Sequence, residues 1–259
     1  MKQYLVDAFT DRPFMGNPAA VCIPDRPLSA ETMQRIAAEN NLAETAFAFR
    51  EGDGYRLHWF TPSMEETLCG HATLATSFVI FRLLAPDADT VRFSSISGPL
   101  SVRRKDDWYE LDFPVSPMTE IPVTDAMTRA FGARPTRALL GMDLNCVFDS
   151  EETVRALAPD YALLQKLPGR IWNATARGRD FDCVSRSFTP ETAVPEDPVC
   201  GSAHCQIAAY WAETLRKPVI RAYQASARGG VLECEPIENG RILLRGKAVL
   251  LAVTEWLCV

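Results

Sequence analysis

Cys69-Gly70-His71-Ala72-Thr73-Leu74-Ala75-Thr76-Ser77-Phe78-Val79-Ile80-Phe81 contains no Asp, Glu, Lys or Arg. Gly70 opens it as a turn, and Ala72 to Phe81 reads as a helix that is apolar all round. Such a helix must be wrapped by other elements. The neighbouring segments read as strands, so a sheet curled around a central helix is the economical arrangement. Strands are expected at Lys2 to Ala8, from Asn17 toward Cys22, at Glu44 to Phe49 and Tyr55 to Phe60, then at Val91 to Phe93, Leu100 to Arg103 and Tyr109 to Phe113. One helix is expected outside that frame, Ala30 to Asn40. It is capped by Ser29 and carries Met33, Ile36 and Ala37 at helical spacing.

The second half repeats the order. Cys200-Gly201-Ser202 opens another uncharged helical segment, Ala203 to Trp211. Strands are expected around it at Ile171 to Ala176, Val184 to Phe188, Val219 to Gln224, Val231 to Glu235 and Ile242 to Arg245. Strand, Cys-Gly, buried helix, strands: the repetition reads as an internal duplication into two similar lobes. Pro114, Pro117 and Pro122 crowd one short stretch and suggest a linker. The lobes are accordingly set at 1–115 and 116–259, the last strand being free to pack back on the first lobe. A helix near Thr124 to Phe131 and a strand near Ala138 to Phe148 complete the second.

Composition narrows the function classes. The chain has 259 residues, 47% hydrophobic and 23% charged, the balance of a globular protein with a real core. Its formal charge of −6 offers no basic face for phosphates, so a nucleic-acid partner is not expected and a small molecule is. The start lacks a cationic patch followed by a long apolar segment, so no secretory signal is read and the cytoplasm is the expected compartment; the composition is not that of a membrane-spanning chain, and no membrane partner is expected. Eight cysteines lie scattered, without the dense spacing of a disulfide framework, and read as reduced thiols. No Cys-x-x-Cys or His-x-x-x-His pattern occurs, so no metal is expected, with Cys200, His204 and Cys205 as the minor exception.

The two Cys-Gly turns are where chemistry could sit. A helix start presents unpaired backbone N–H groups and partial positive charge, and glycine lets a carboxylate approach that backbone. A thiol there is biased toward thiolate. The bland alternative is that each cysteine is a small apolar filler. Glu44 stands alone in Asn41-Leu42-Ala43-Glu44-Thr45-Ala46-Phe47-Ala48-Phe49. Alternation there groups Glu44 with small alanines, opposite Phe47 and Phe49. A carboxylate half-withdrawn from water in such a space becomes a better base, or it is an ordinary solvent-facing Glu. His71 follows the first turn and suits proton shuttling, or it merely packs locally. Asp197 precedes Pro198 and fixes an extended turn into the second helix, a capping role if nothing more.

Several motifs together resemble one family. Asp7-Ala8-Phe9-Thr10 with Gly16-Asn17-Pro18-Ala19-Ala20-Val21 comes first, then Asn41 to Phe47, Cys69-Gly70-His71-Ala72-Thr73, and Glu196-Asp197-Pro198-Val199-Cys200-Gly201-Ser202-Ala203-His204. Ser185-Arg186 and Gln224 with Arg228-Gly229-Gly230 add to them. In this order they resemble PhzF-like, phenazine-biosynthesis-like proteins over nearly the whole chain. The resemblance implies an α/β (α+β), diaminopimelate epimerase-like fold, with two pseudo-symmetric lobes, each a barrel-like sheet around a central helix, and a substrate cleft between them. It also implies a cofactor-free isomerase, with a homodimer as a further expectation. The characterised member isomerises trans-2,3-dihydro-3-hydroxyanthranilate, using a Glu as general base and acid, helped by a His, an Asp and a Ser. Matched by motif, these roles fall on Glu44, His71, Asp197 and Ser202, with Asn17, Gly70, Gly201 and Ser202 binding a small carboxylate substrate.

One departure keeps a second chemistry open. Many PhzF-like proteins resemble Asp-Pro-Val-Thr-Gly-Ser at the second turn, whereas Cys200 stands here in the Thr position. Epimerase cousins carry a cysteine in both turns. Cys69 and Cys200 would then be the facing thiols of a racemase or epimerase of an amino acid or related acid. A non-catalytic carboxylate binder is the alternative of another class.

Overall fold

The computed structural model describes residues 1–192 and 194–258. The chain divides into two compact units, Met1–Asp112 with Arg245–Val259, and Phe113–Leu244.

The first unit is a sheet bent around one helix. Its elements are β1 (Lys2–Ala8), β2 (Asn17–Ile23), α1 (Ala30–Asn40), β3 (Glu44–Glu51), β4 (Gly54–Phe60), β5 (Glu65–Glu66), α2 (Gly70–Val79), β6 (Thr90–Ser95), β7 (Gly98–Lys105) and β8 (Trp108–Pro114). β1 and β2 run antiparallel, β2 and β3 parallel, β3 and β4 antiparallel, and β4 pairs β5 antiparallel and β6 parallel. Helix α2 packs against β1, β2 and β3, and its residues from His71 to Val79 are all buried. The expected helix runs on to Leu84 as a π-helical turn, Ile80–Leu84.

A helix carrying Thr73, Thr76 and Ser77 can be buried because each hydroxyl donates one turn back. Thr73 Oγ1 reaches the Cys69 carbonyl at 2.5 Å, Thr76 Oγ1 that of Ala72 at 2.7 Å, and Ser77 Oγ that of Thr73 at 2.8 Å. Strands β2 and β3 are covered on both faces. Phe47 joins Met33, Ile36 and Ala37 of α1 in one core cluster, while Glu44, Ala46 and Ala48 take the opposite face. The alanines leave α2 room to lie close.

The second unit comprises β9 (Thr119–Ile121), α3 (Asp125–Phe131), β10 (Arg137–Leu140), β11 (Leu144–Val147), α4 (Glu151–Ala156), α5 (Tyr161–Leu164), β12 (Trp172–Arg177), β13 (Cys183–Phe188), β14 (Glu196–Asp197), α6 (Gly201–Leu215), β15 (Ile220–Gln224) and β16 (Gly230–Ile237). β17 (Arg241–Gly246) follows, and β18 (Ala248–Glu255), in the first unit, pairs antiparallel with β1. The pairing scheme repeats strand for strand. β10 and β11 are antiparallel, β11 and β12 parallel, β12 and β13 antiparallel, and β13 pairs β14 antiparallel and β15 parallel. Even the β1–β18 pairing has its counterpart in β10–β9. Helix α6 lies against β13, β15 and β16, the counterparts of β4, β6 and β7, whereas α2 lies against β1, β2 and β3. Both helices are thus wrapped, the diaminopimelate epimerase-like arrangement that the buried segments demand.

Some local expectations change. The strand read as Ala138 to Phe148 is a hairpin, broken at Gly141-Met142-Asp143, where Gly141 N–H donates to the Asp143 carbonyl at 3.1 Å. The proline-rich stretch also contains β9, which pairs with β10. Helix α6 is longer than expected, reaching Leu215, and α4 and α5 are short helices that the sequence pattern did not signal.

Candidate active site

Three segments distant in sequence meet at the start of α2. Glu44 is the first residue of β3, on the face that α2 covers. Cys69 is the N-cap of α2, extended at φ −136° and ψ 117°, and its side chain caps nothing. His71 lies in the first turn, buried, with Nε2 3.1 Å from Glu44 Oε2. Asn17, fully buried at the start of β2, puts its amide Nδ2 3.2 Å from His71 Nδ1, and Cys69 Sγ lies 3.5 Å from the same nitrogen. The backbone that delivers Asn17 is tightly constrained. Gly16 has φ +68°, and a Cβ there would meet the Ala8 carbonyl oxygen at 2.1 Å, so no other residue fits.

With Asn17 presenting its N–H to Nδ1, the neutral ring carries its proton on Nε2, facing Glu44. With the amide turned over, its oxygen accepts from Nδ1–H, and Nε2–H faces Glu44 when the ring is doubly protonated. Burial by itself disfavours the imidazolium, but the Cys69 sulfur, when ionised, and the Glu44 carboxylate more than offset this, and the His71 pKa stands well above its usual value. Asn17, expected to touch substrate, here orients His71.

The second turn is built differently. Cys200 is the N-cap of α6, extended at φ −94° and ψ 103°, and Gly201 opens the helix as Gly70 opens α2. Gln224, fully buried at the end of β15, holds the turn. Its Oε1 accepts the Cys200 N–H at 2.8 Å, and its Nε2 donates to the Asp197 carbonyl at 2.5 Å. Asp197 Oδ1 accepts the Val199 N–H at 3.0 Å, shaping the approach to the helix. Ser202 Oγ lies 3.4 Å from Cys200 Sγ and accepts from Arg170 Nη2 at 3.3 Å. Arg170 is steadied by Asp143, whose fully buried carboxylate lies 3.5 Å from Nε and accepts from Gln206 Nε2 at 2.9 Å. Burial raises the Asp143 pKa, against the lowering pull of Arg170, the Ile171 N–H and Gln206. Sequence reading passed over Arg170, Asp143 and Gln206, because no motif joins residues in a hairpin turn, a loop and a helix.

Two expectations about the thiols are corrected. Burial raises the pKa of Cys69, and that of Cys200 more strongly, away from the thiolate. The helix end does favour a thiolate, but complete desolvation outweighs it, and Glu44 and Asp197 add like-charge repulsion. Cys200, His204 and Cys205 do not gather as metal ligands. His204 Nδ1 donates to the Cys200 carbonyl at 2.7 Å, and Nε2 lies 3.1 Å from Ser185 Oγ. Among the described residues, the donor atoms of Glu44, Cys69 and His71 are the group lying within 4.8 Å of one another. No described helix is long and apolar enough to cross a membrane.

Two units with the same strand pairing, each wrapped around a helix that starts at a Cys-Gly turn, make the diaminopimelate epimerase-like fold. The model of the phenazine biosynthesis-like protein family, PhzC-PhzF, matches residues 6–254, and the chain belongs to that family. It is 48% identical over 248 residues to an uncharacterized isomerase of Pseudomonas aeruginosa, with 95% of each chain covered. The crystal structure of a PhzF family protein from Enterococcus faecalis matches with a TM-score of 0.94 at 45% identity, over 97% of both chains. A predicted epimerase from Pseudomonas aeruginosa shares the fold at 21% identity and a TM-score of 0.76, over 100% of this chain and 99% of that one. The chain is an isomerase of this family.

Proposed function

We propose that this isomerase moves a proton between two carbons of a small carboxylate-bearing substrate without a cofactor, with Glu44 as general base and then general acid. The observation that carries the reading is the Glu44–His71 pair at 3.1 Å, with His71 held by Asn17. An ionised carboxylate beside an imidazole N–H is equipped to take a proton from an activated C–H. Nε2–H stabilises the carboxylate between turnovers and can relay the proton to a second position. Each helix start, Gly70 in the first unit and Gly201 to Ser202 in the second, offers backbone N–H groups suited to a substrate carboxylate, as helix starts favour anions. Arg170 adds a cation beside Ser202. Asp197 and Gln224 keep the second turn in shape.

The two-thiol racemase needs one sulfur ionised at rest. Burial pushes both thiols the other way, which favours Glu44 as base. The reading includes a cytoplasmic homodimer, tested by sizing the purified chain. The chemistry is tested in deuterated water with trans-2,3-dihydro-3-hydroxyanthranilate and a panel of small amino, hydroxy and unsaturated acids. Deuterium should enter at least one substrate at a new carbon. Exchange at a stereocentre that survives Glu44→Gln but not Cys69→Ser would instead establish the racemase.

A further inference from the structure

We infer that Glu44, Cys69 and His71 form a binding site for a borderline-soft divalent cation of the zinc class, and that filling it blocks the enzyme. The blocking rests on the general-base reading of Glu44; the binding does not.

The donor set is carboxylate oxygen, sulfur and imidazole nitrogen, the three ligand types that zinc takes, and one such atom from each residue lies within 4.8 Å of the others. Ordinary bond lengths around tetrahedral zinc place ligand atoms about 3.4–3.6 Å apart. Nε2 is the ring nitrogen left for a metal, because Nδ1 faces the Asn17 amide at 3.2 Å; Nε2 lies 3.1 Å from Glu44 Oε2, and the Cys69 sulfur is 3.5 Å from Nδ1 of the same ring. The remaining closure falls to Glu44, the one member with some freedom, its side chain 19% exposed against 6% for His71. Two buried atoms of this group, Glu44 Oε2 and His71 Nε2, make no aligned hydrogen bond although they sit close together. Glu44 Oε2 and His71 Nε2 therefore face each other across a short gap, where the carboxylate oxygen and, once its proton has left, the ring nitrogen can both turn to a cation. No lysine or arginine among the described residues pairs with Glu44 to repel a cation.

Binding exchanges atoms simply. The Cys69 S–H proton leaves to solvent as a sulfur–metal bond forms, the His71 Nε2 proton leaves likewise while Nδ1–H donates to the turned Asn17 amide oxygen, Nε2 and one Glu44 oxygen donate lone pairs, and a fourth position stays open for water. No electron is transferred. Magnesium, which requires octahedral oxygen coordination, does not suit this set. An occupied site ties up the Glu44 carboxylate and so prevents proton abstraction.

The test uses the full chain, kept reduced and metal-free, and titrated with Co2+. The expected result is one equivalent bound, with a sulfur-to-cobalt charge-transfer band in the near ultraviolet. Zn2+ should displace it and millimolar Mg2+ should not. Cys69→Ser should abolish the band, and Glu44→Gln should weaken binding by more than the roughly tenfold that loss of an outer partner costs. Cys258→Ser, which changes the one exposed thiol, should leave the band intact. A band that survives Cys69→Ser, a band lost in Cys258→Ser, or no band with excess cobalt would overturn the site. Should Cys69→Ser fail to fold by circular dichroism, the Glu44→Gln and Cys258→Ser titrations decide alone. If no band forms while Glu44→Gln still loses solvent exchange, the metal site falls and the general base stands. A band together with intact exchange in Glu44→Gln keeps the site and removes the base.

Discussion

The two Cys-Gly helix starts share a backbone but carry their histidines at different places: His71 stands where the second turn has Ser202, and His204 stands where the first has Thr73, the His204 ring and the Thr73 hydroxyl each bonding the carbonyl of the N-cap cysteine. His71 faces a carboxylate, and its pKa is raised well above the usual value despite complete burial. His204 faces a hydroxyl and a carbonyl, and burial pushes its pKa down to about 4. Strand register explains why only the first turn has a carboxylate beside it. Thr45 pairs with Phe60, which pairs with Glu65; Trp172 pairs with Phe188, which pairs with Glu196. Thr45 and Trp172 are therefore equivalent, and the residue in the place of Glu44 is Ile171. Duplication supplied both turns with a helix end, but only one received a base on the adjoining strand. On the proposed reading the first turn serves proton transfer and the second holds an anion, with Arg170 and Ser202 in reach of each other.

The largest expected effect comes from removing that asymmetry at its source. Glu44→Gln should lower solvent exchange by about 10²–10⁴-fold, the usual worth of a general base, while leaving the thermal melt in place. Full exchange in this variant would erase the distinction between the turns.

The next effect belongs to the second turn. A histidine held at about 4 in the fold and near 6.5 when unfolded contributes stability fully present above about pH 6.5 and lost as pH falls toward 4. The loss is about 3 kcal/mol. Denaturant unfolding measured from pH 7 to 4 should show it, and His204→Gln should flatten that limb. For His71 the sign reverses. Its stabilisation is present below about pH 6.5 and drains away as pH rises through its raised value, so unfolding from pH 6 to 9 should show an alkaline decline that His71→Asn removes. Equal pH dependence in the two histidine variants would contradict the comparison. The smallest effect is expected from Cys200→Thr. It should cost under about 1.5 kcal/mol of stability and leave exchange unchanged, because a protonated buried thiol takes no part in the transfer.

The buried helices, the repeated order and the placement of Glu44 opposite Phe47 were legible in the sequence, because periodicity and the absence of charge report burial directly. The hairpin at Gly141-Met142-Asp143 was not. Leu139, Leu144 and Cys146 are apolar on both sides of it, and a run buried on two faces hides its own turn. Motifs pointed to Glu44, His71 and Asn17, but their distances depend on how β2, β3 and α2 pack. Arg170 gave no signal, since its significance comes from Asp143 and Ser202, which lie elsewhere in the chain. The thiols were misread for a definable reason: the charge at a helix end is written in the sequence, whereas full desolvation is a property of the folded surroundings.

The most direct measurement follows deuterium incorporation by NMR in the wild type, Glu44→Gln and the double variant Cys69→Ser/Cys200→Ser, on the same substrate under the same conditions. With Glu44 as the base, incorporation stops in Glu44→Gln and continues in the double cysteine variant. The opposite pattern, exchange that survives Glu44→Gln and disappears with the thiols, would contradict it.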